Sequence, residues 1–251
     1  MENASKALLI GAGMLFALLI ITLLVIFYGQ VSSYFEEKNK MTEIEQLEKF
    51  NAKFENYHDK QIRGSELVSI LNMIVDYNNL QADAQGYEPI KVTIDLKGHQ
   101  NELKYDNESG GKTLITVSNI NNNSNDTQIK KIAETSSRLS VELGIADVKL
   151  QKLASRISDI VDEPSDSDEK EEYKKFRKQI LERILGYEVP DSEIGDIKTA
   201  TYQYYQYMQF KRAMFDCKDV TYNTDNGRVN GMAFDVILEA DINGELKIKM
   251  D

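Results

Sequence analysis

Residues 7–28 form an unbroken apolar run with no charged residue and no proline. At about 1.5 Å per residue such a run reaches about 33 Å as a helix, enough to cross a hydrocarbon core of about 30 Å. Backbone groups in lipid must bond to one another, so the run is predicted to be a transmembrane helix. Beyond it, Met41, Ile44, Leu47, Phe50, Phe54 and Tyr57 recur at three- and four-residue intervals, with Glu43, Glu45, Glu48, Lys49, Lys53 and Glu55 between them. That spacing predicts an amphipathic helix running on toward Gly64. Its apolar stripe needs cover, from its own domain or from a second chain. Phe50, Phe54 and Tyr57 are therefore candidate packing or interface residues.

The pattern then changes. Ser65 is placed to cap a second helix carrying Leu67, Ile70, Leu71 and Ile74 and ending near Asn78 and Asn79. Ile90, Val92, Ile94 and Leu96 alternate with polar residues and predict a half-buried strand. Leu103 and Tyr105 predict a second strand and residues 113–117 a third, a meander that makes an antiparallel sheet. Residues 119–127 read as an asparagine-rich loop. Helical spacing follows: Ile129, Ile132, Leu139 and Val141 in one helix; Val148, Leu150, Leu153, Ile157, Ile160 and Val161 in a second; Phe176, Ile180, Ile184 and Leu185 in a third. Residues 162–172 are acidic and read as a solvated loop. Residues 197–215 are helical in spacing and carry Tyr202, Tyr204, Tyr205 and Tyr207. A helix turns every 3.6 residues, so these four rings cannot all face one core; they are candidate interface residues. The chain closes in alternating strands, with turns at Asn223–Gly227 and Asn243–Gly244.

The expected organisation is a transmembrane anchor at 1–28 and an amphipathic juxtamembrane helix at 29–63. An α+β domain follows, in two parts at 64–127 and 191–251, around a helical insertion at 128–190. The fold class is thus α+β: an N-terminal transmembrane helix continuing into an amphipathic helix, an antiparallel sheet and a helical insertion.

Charge sharpens this picture. The chain of 251 residues carries a net charge of −11, and Glu2 and Lys6 cancel within the first 28 residues. The acidity belongs to the part beyond the run, which argues against a nucleic-acid partner and against docking on anionic lipid. The single cysteine, Cys217, rules out an intrachain disulfide and is expected to be a small buried side chain. His58 and His99 stand in no metal-ligand spacing, and Asn223, Asp225 and Gly227 fail the register of a calcium loop. No catalytic residue, cofactor or metal ligand is expected.

A single N-terminal helix, apolar in its first half and amphipathic in its second, followed by a sheet, resembles a type IV pilin or pseudopilin. Ser5, Lys6 and Ala7, with a basic residue directly before the apolar run, are similar to a prepilin leader. The acidic residue that pilins carry five positions into the mature helix is absent. The stretches 1–7, 50–57 and 64–70 also resemble uncharacterised anchored proteins of Gram-positive anaerobes. The resemblance implies a single-pass protein of the cell membrane, held in lipid through residues 7–28. It would present an extracytoplasmic domain and act through protein partners or self-association. A membrane-tethered binding or sensor domain is the alternative.

Overall fold

The computed structural model describes residues 2–82, 87–105, 113–121, 128–162 and 167–251. The fold is α+β. It divides into two units, 1–53 and 54–251.

The first unit is a single helix. Helix α1 spans Glu2–Glu55, so the apolar run and the stripe that follows belong to one unbroken element. Its most apolar window has none of its residues buried, and it is long and apolar enough to cross a membrane. Thr22, a hydroxyl in the middle of the run, donates to the Leu18 carbonyl at 2.8 Å, so that its polar group is satisfied within the helix. Beyond the run the stripe is divided: Met41 and Ile44 are exposed, whereas Phe50 is buried.

The helix stops nine residues before Gly64, at Glu55, short of the expected end. A turn follows in which Asp59 takes a left-handed conformation with φ 55°, tolerable for aspartate. The turn is stitched to the sheet, for the Asp59 amide donates to the Cys217 carbonyl at 3.0 Å and the Cys217 amide to the Lys60 carbonyl at 3.1 Å. Gln61–Arg63 then forms strand β1. Long-range pairing thus ends the helix where the local apolar pattern would have continued it.

Helix α2, Gly64–Tyr77, buries Leu67, Val68, Ile70, Leu71, Ile74 and Val75 and lies at the centre of the second unit. Ser65 does not cap it. Gly64 is its first residue, and the Gly64 amide donates to the Ala213 carbonyl at 2.7 Å, so a neighbouring backbone does what a cap would do.

The main sheet has five strands in the order β1-β4-β5-β2-β3. They are β1, β2 (Lys91–Asp95), β3 (Asn119–Asn121), β4 (Met214–Tyr222) and β5 (Val229–Val236). Three pairings are antiparallel, but β2 runs parallel to β5. The expected meander is therefore corrected. Leu103 sits in a short 3-10 helix, Gln100–Leu103, and the partner of β2 is 119–121 rather than 113–117. A parallel pair needs a long crossover, and here it is everything between the two strands. Residues 122–127, the rest of the asparagine-rich stretch, lie outside the described residues. A separate hairpin, β6 (Leu238–Ala240) and β7 (Leu246–Ile248), follows the turn at Asn243 and Gly244.

One face of the sheet is apolar and buried, through Val92, Ile94, Phe215, Cys217, Met232, Phe234 and Val236. Helix α2 packs on β1 and β4. The other face is polar. Asp216, Asp235 and Asp95 stand in register across β4, β5 and β2, flanked by Gln61 and Asn119. Lys218 pairs with Asp216 at 2.5 Å and Lys97 with Asp235 at 3.3 Å, which offsets the repulsion of adjacent carboxylates.

All the elements found among the described residues of 128–190 are helices. They are α3 (Gln128–Ala133), α4 (Thr135–Leu143), α5 (Asp147–Ser155), α6 (Ile157–Val161) and α7 (Ser167–Leu185). Two single helices of the sequence reading are each broken in two, near Glu134 and Arg156. Val141 and Val148, read as core positions, are 83% and 61% exposed, and Phe176 is also exposed. The breaks redirect the helix faces, so positions that continue the apolar spacing no longer point inward. The acidic loop is also shorter than expected, because 167–172 is already helical. Helix α8, Asp191–Arg212, packs against α2, α4, α5 and α6.

Candidate interaction site

Helix α8 joins the two kinds of structure in the domain. Its last turns meet the sheet, with the Phe210 and Phe215 ring centroids 5.0 Å apart. Its middle carries the four tyrosines, and their alternation around the helix splits them into two pairs.

Tyr204 and Tyr207 are buried and in edge contact at 5.6 Å. The Tyr204 hydroxyl donates to Asp147 Oδ1 at 2.6 Å, and the Ser136 hydroxyl donates to the same oxygen. The link ties α8 to α4 and α5. Burial raises the Asp147 carboxyl, but the Ser136 and Tyr204 hydrogen bonds and the Lys211 charge together outweigh it and hold it below the usual carboxylate range. The Tyr204 phenol is pushed the other way, upward, by burial first and by the Asp147 carboxylate second. Lys211 Nζ lies over the Tyr207 ring, 5.3 Å from its centroid. An ionised acid held by two hydroxyls serves as a latch. The same two bonds lower its basicity.

Tyr202 and Tyr205 are half-buried and converge on Tyr105, with centroids 6.4 and 5.5 Å from it. The Tyr105 hydroxyl donates to Asp162 Oδ2 at 2.8 Å. These three rings form an aromatic patch that solvent reaches. Tyr105 was read as a strand residue, and no local signal in the sequence could have brought it to α8.

The remaining candidates stand apart. Phe50 and Phe54 are buried, and Tyr57 is half-buried in the turn that ends α1. Glu55, on the last turn of α1, accepts a hydrogen bond from the Tyr222 hydroxyl at 3.0 Å. Gln206, which sequence reasoning passed over, is almost fully buried. Its side-chain amide donates to the Ile115 carbonyl and accepts from the Ile115 amide, both at 3.0 Å. Among the described residues no group of three or more His, Cys, Asp or Glu is placed to hold a metal ion. His99 Nδ1 pairs with Glu102 at 2.6 Å, and the other oxygen of Glu102 accepts from the Ile248 amide at 2.8 Å, so both tie a turn to β7.

No family model, no curated protein and no solved structure matches this chain.

Proposed function

We propose that this protein is a single-pass membrane protein of the cell envelope that works, without catalysis, as a structural or assembly subunit. In this reading it is pilin-like in plan: a membrane anchor at residues 7–28 and an α+β domain outside the cell. The observation that carries it is on α1. Apolar exposure does not end with the membrane-length run, since Tyr34 is 62%, Phe35 56%, Met41 60% and Ile44 55% exposed. Lipid covers the first stretch; the second lies past a membrane's depth and calls for protein cover. A second copy of the same helix, anchored in the same membrane, is the partner held closest at the highest effective concentration.

The test is disulfide crosslinking of the full chain in native membranes. Met41→Cys and Ile44→Cys should each give crosslinked dimers on mild oxidation, and Asn39→Cys, on the opposite side of the helix, should not. Monomers at all three positions would refute self-association through this stripe. The second reading, a tethered binding domain, draws on the half-exposed Tyr105, Tyr202 and Tyr205 patch. It would be favoured by monomers together with loss of a partner on Tyr205→Ala.

A further inference from the structure

Helices α7 and α8 leave a groove of about 540 Å³ between them. That is the size of a small-molecule site. Each helix lines it with residues one turn apart, Glu171, Lys174, Lys175 and Lys178 on α7 and Asp191, Ile194, Gly195 and Lys198 on α8. With Arg177, the lining residues include five cations and two carboxylates, in a chain whose net charge is −11. The groove is thus a basic island on an acidic protein.

Its charges are of two kinds. Arg177 is buried, stacked 5.0 Å from the Tyr173 ring centroid and donating through Nη2 to the Asp162 carbonyl at 3.4 Å, so its position is fixed. The lysines are exposed or half-exposed. Lys174 pairs with Glu171 at 2.6 Å and Lys178 with Asp191 at 3.1 Å, in exposed ion pairs of the kind that contribute little and yield readily to a stronger anion. Gly195 is a separate observation. Glycine is a poor helix former, yet it stands inside α8, and a Cβ added there would meet nothing within 4 Å. Packing within the chain does not require it. Its effect is to leave the groove wall bare, so that a ligand can approach the helix backbone.

We propose that this groove binds a compact anion of the oligophosphate class. Four of the five cations are lysines, point charges of the kind that bind phosphate oxygens, and so many cations in one groove suit a ligand of higher charge than a tricarboxylate such as citrate. Among the described residues no aromatic ring lines the groove, so none of them is placed to stack a nucleobase. Beyond the groove the acidic surface repels a long polyanion, which limits the ligand to one that fits within it.

The test is calorimetric titration of the full chain in detergent micelles with inorganic triphosphate at low ionic strength. One saturable site per chain is expected. Lys175→Glu combined with Lys198→Glu should weaken it at least tenfold. Gly195→Leu, which fills the groove without changing its charge and improves the helix, should weaken it by a similar factor with an unchanged or higher melting temperature. Absence of saturable binding, equal affinity in the Gly195→Leu protein, or equally tight binding of citrate would overturn the proposal.

Discussion

A methyl group on Gly64 would stand 1.8 Å from the Phe210 carbonyl oxygen, a distance no side chain can occupy. The obstacle is backbone, so relief requires α2 and α8 to separate. Gly64→Ala should therefore cost about 3 kcal/mol or more, at or beyond the upper end for overpacking, as a shift in the urea midpoint of the full chain. Asp147 makes a prediction in pH. Its folded value lies below its unfolded one, so the latch contributes stability above the ordinary carboxylate range of about 4 and loses it as pH falls through the folded value. Asp147→Asn should destabilise the protein at pH 7. The gap between variant and wild type should narrow as pH falls below about 4, and a gap independent of pH would contradict the assignment.

Two amide side chains stand in for strands where the sheet lacks them. Asn78, just past α2, donates to the Ile90 carbonyl at 3.0 Å and accepts from the Ile90 amide at 2.8 Å, holding the approach to β2. Gln206 makes the same two-point clamp on Ile115, in the stretch that had been expected to be a strand. Gln206→Leu would leave both Ile115 backbone groups buried without this partner. It should cost about 2–4 kcal/mol in thermal or urea unfolding, one desolvation penalty for each group. At the other end of the domain, Phe54 is 1% exposed, so the last turn of α1 is part of the core of the second unit. Phe54→Ala should cost about 3–5 kcal/mol. An unchanged melting temperature would show that this turn is not needed by the domain.

Sheet, central helix and surrounding helices pack as one unit, and Cys217 lies buried within it. The thiol is fully buried in β4, and burial first, then the Asp216 carboxylate, pushes it up to about 11. Alkylation by iodoacetamide at pH 8 should be negligible in the folded protein and should rise along the same urea curve as the loss of helical signal. Fast labelling in native buffer would mean that β4 opens locally. The same silence leaves cysteines placed on α1 as the reactive ones in the folded chain.

Local rules suffice where a residue's fate depends on near neighbours. The membrane-length run, α2, the core strand at Val92 and Ile94 and the late hairpin at Gly244 are all legible in the sequence, because periodicity and turn chemistry act over a few residues. The order of the strands is not. The parallel pairing of β2 with β5 joins residues more than a hundred positions apart, and alternation says only that each has an apolar face. The end of α1 at Glu55, the exposure of Val141 and Val148 and the division of the tyrosines around Tyr105 and Asp147 belong to the same class. Each is set by which distant element arrives to pack or to hydrogen-bond, and a helical or alternating pattern is equally satisfied by several such arrivals. The basic groove is the extreme case. Its lysines read along the chain as ordinary solvated helix positions, and they become a concentrated charge only because α7 and α8 bring them face to face across open space.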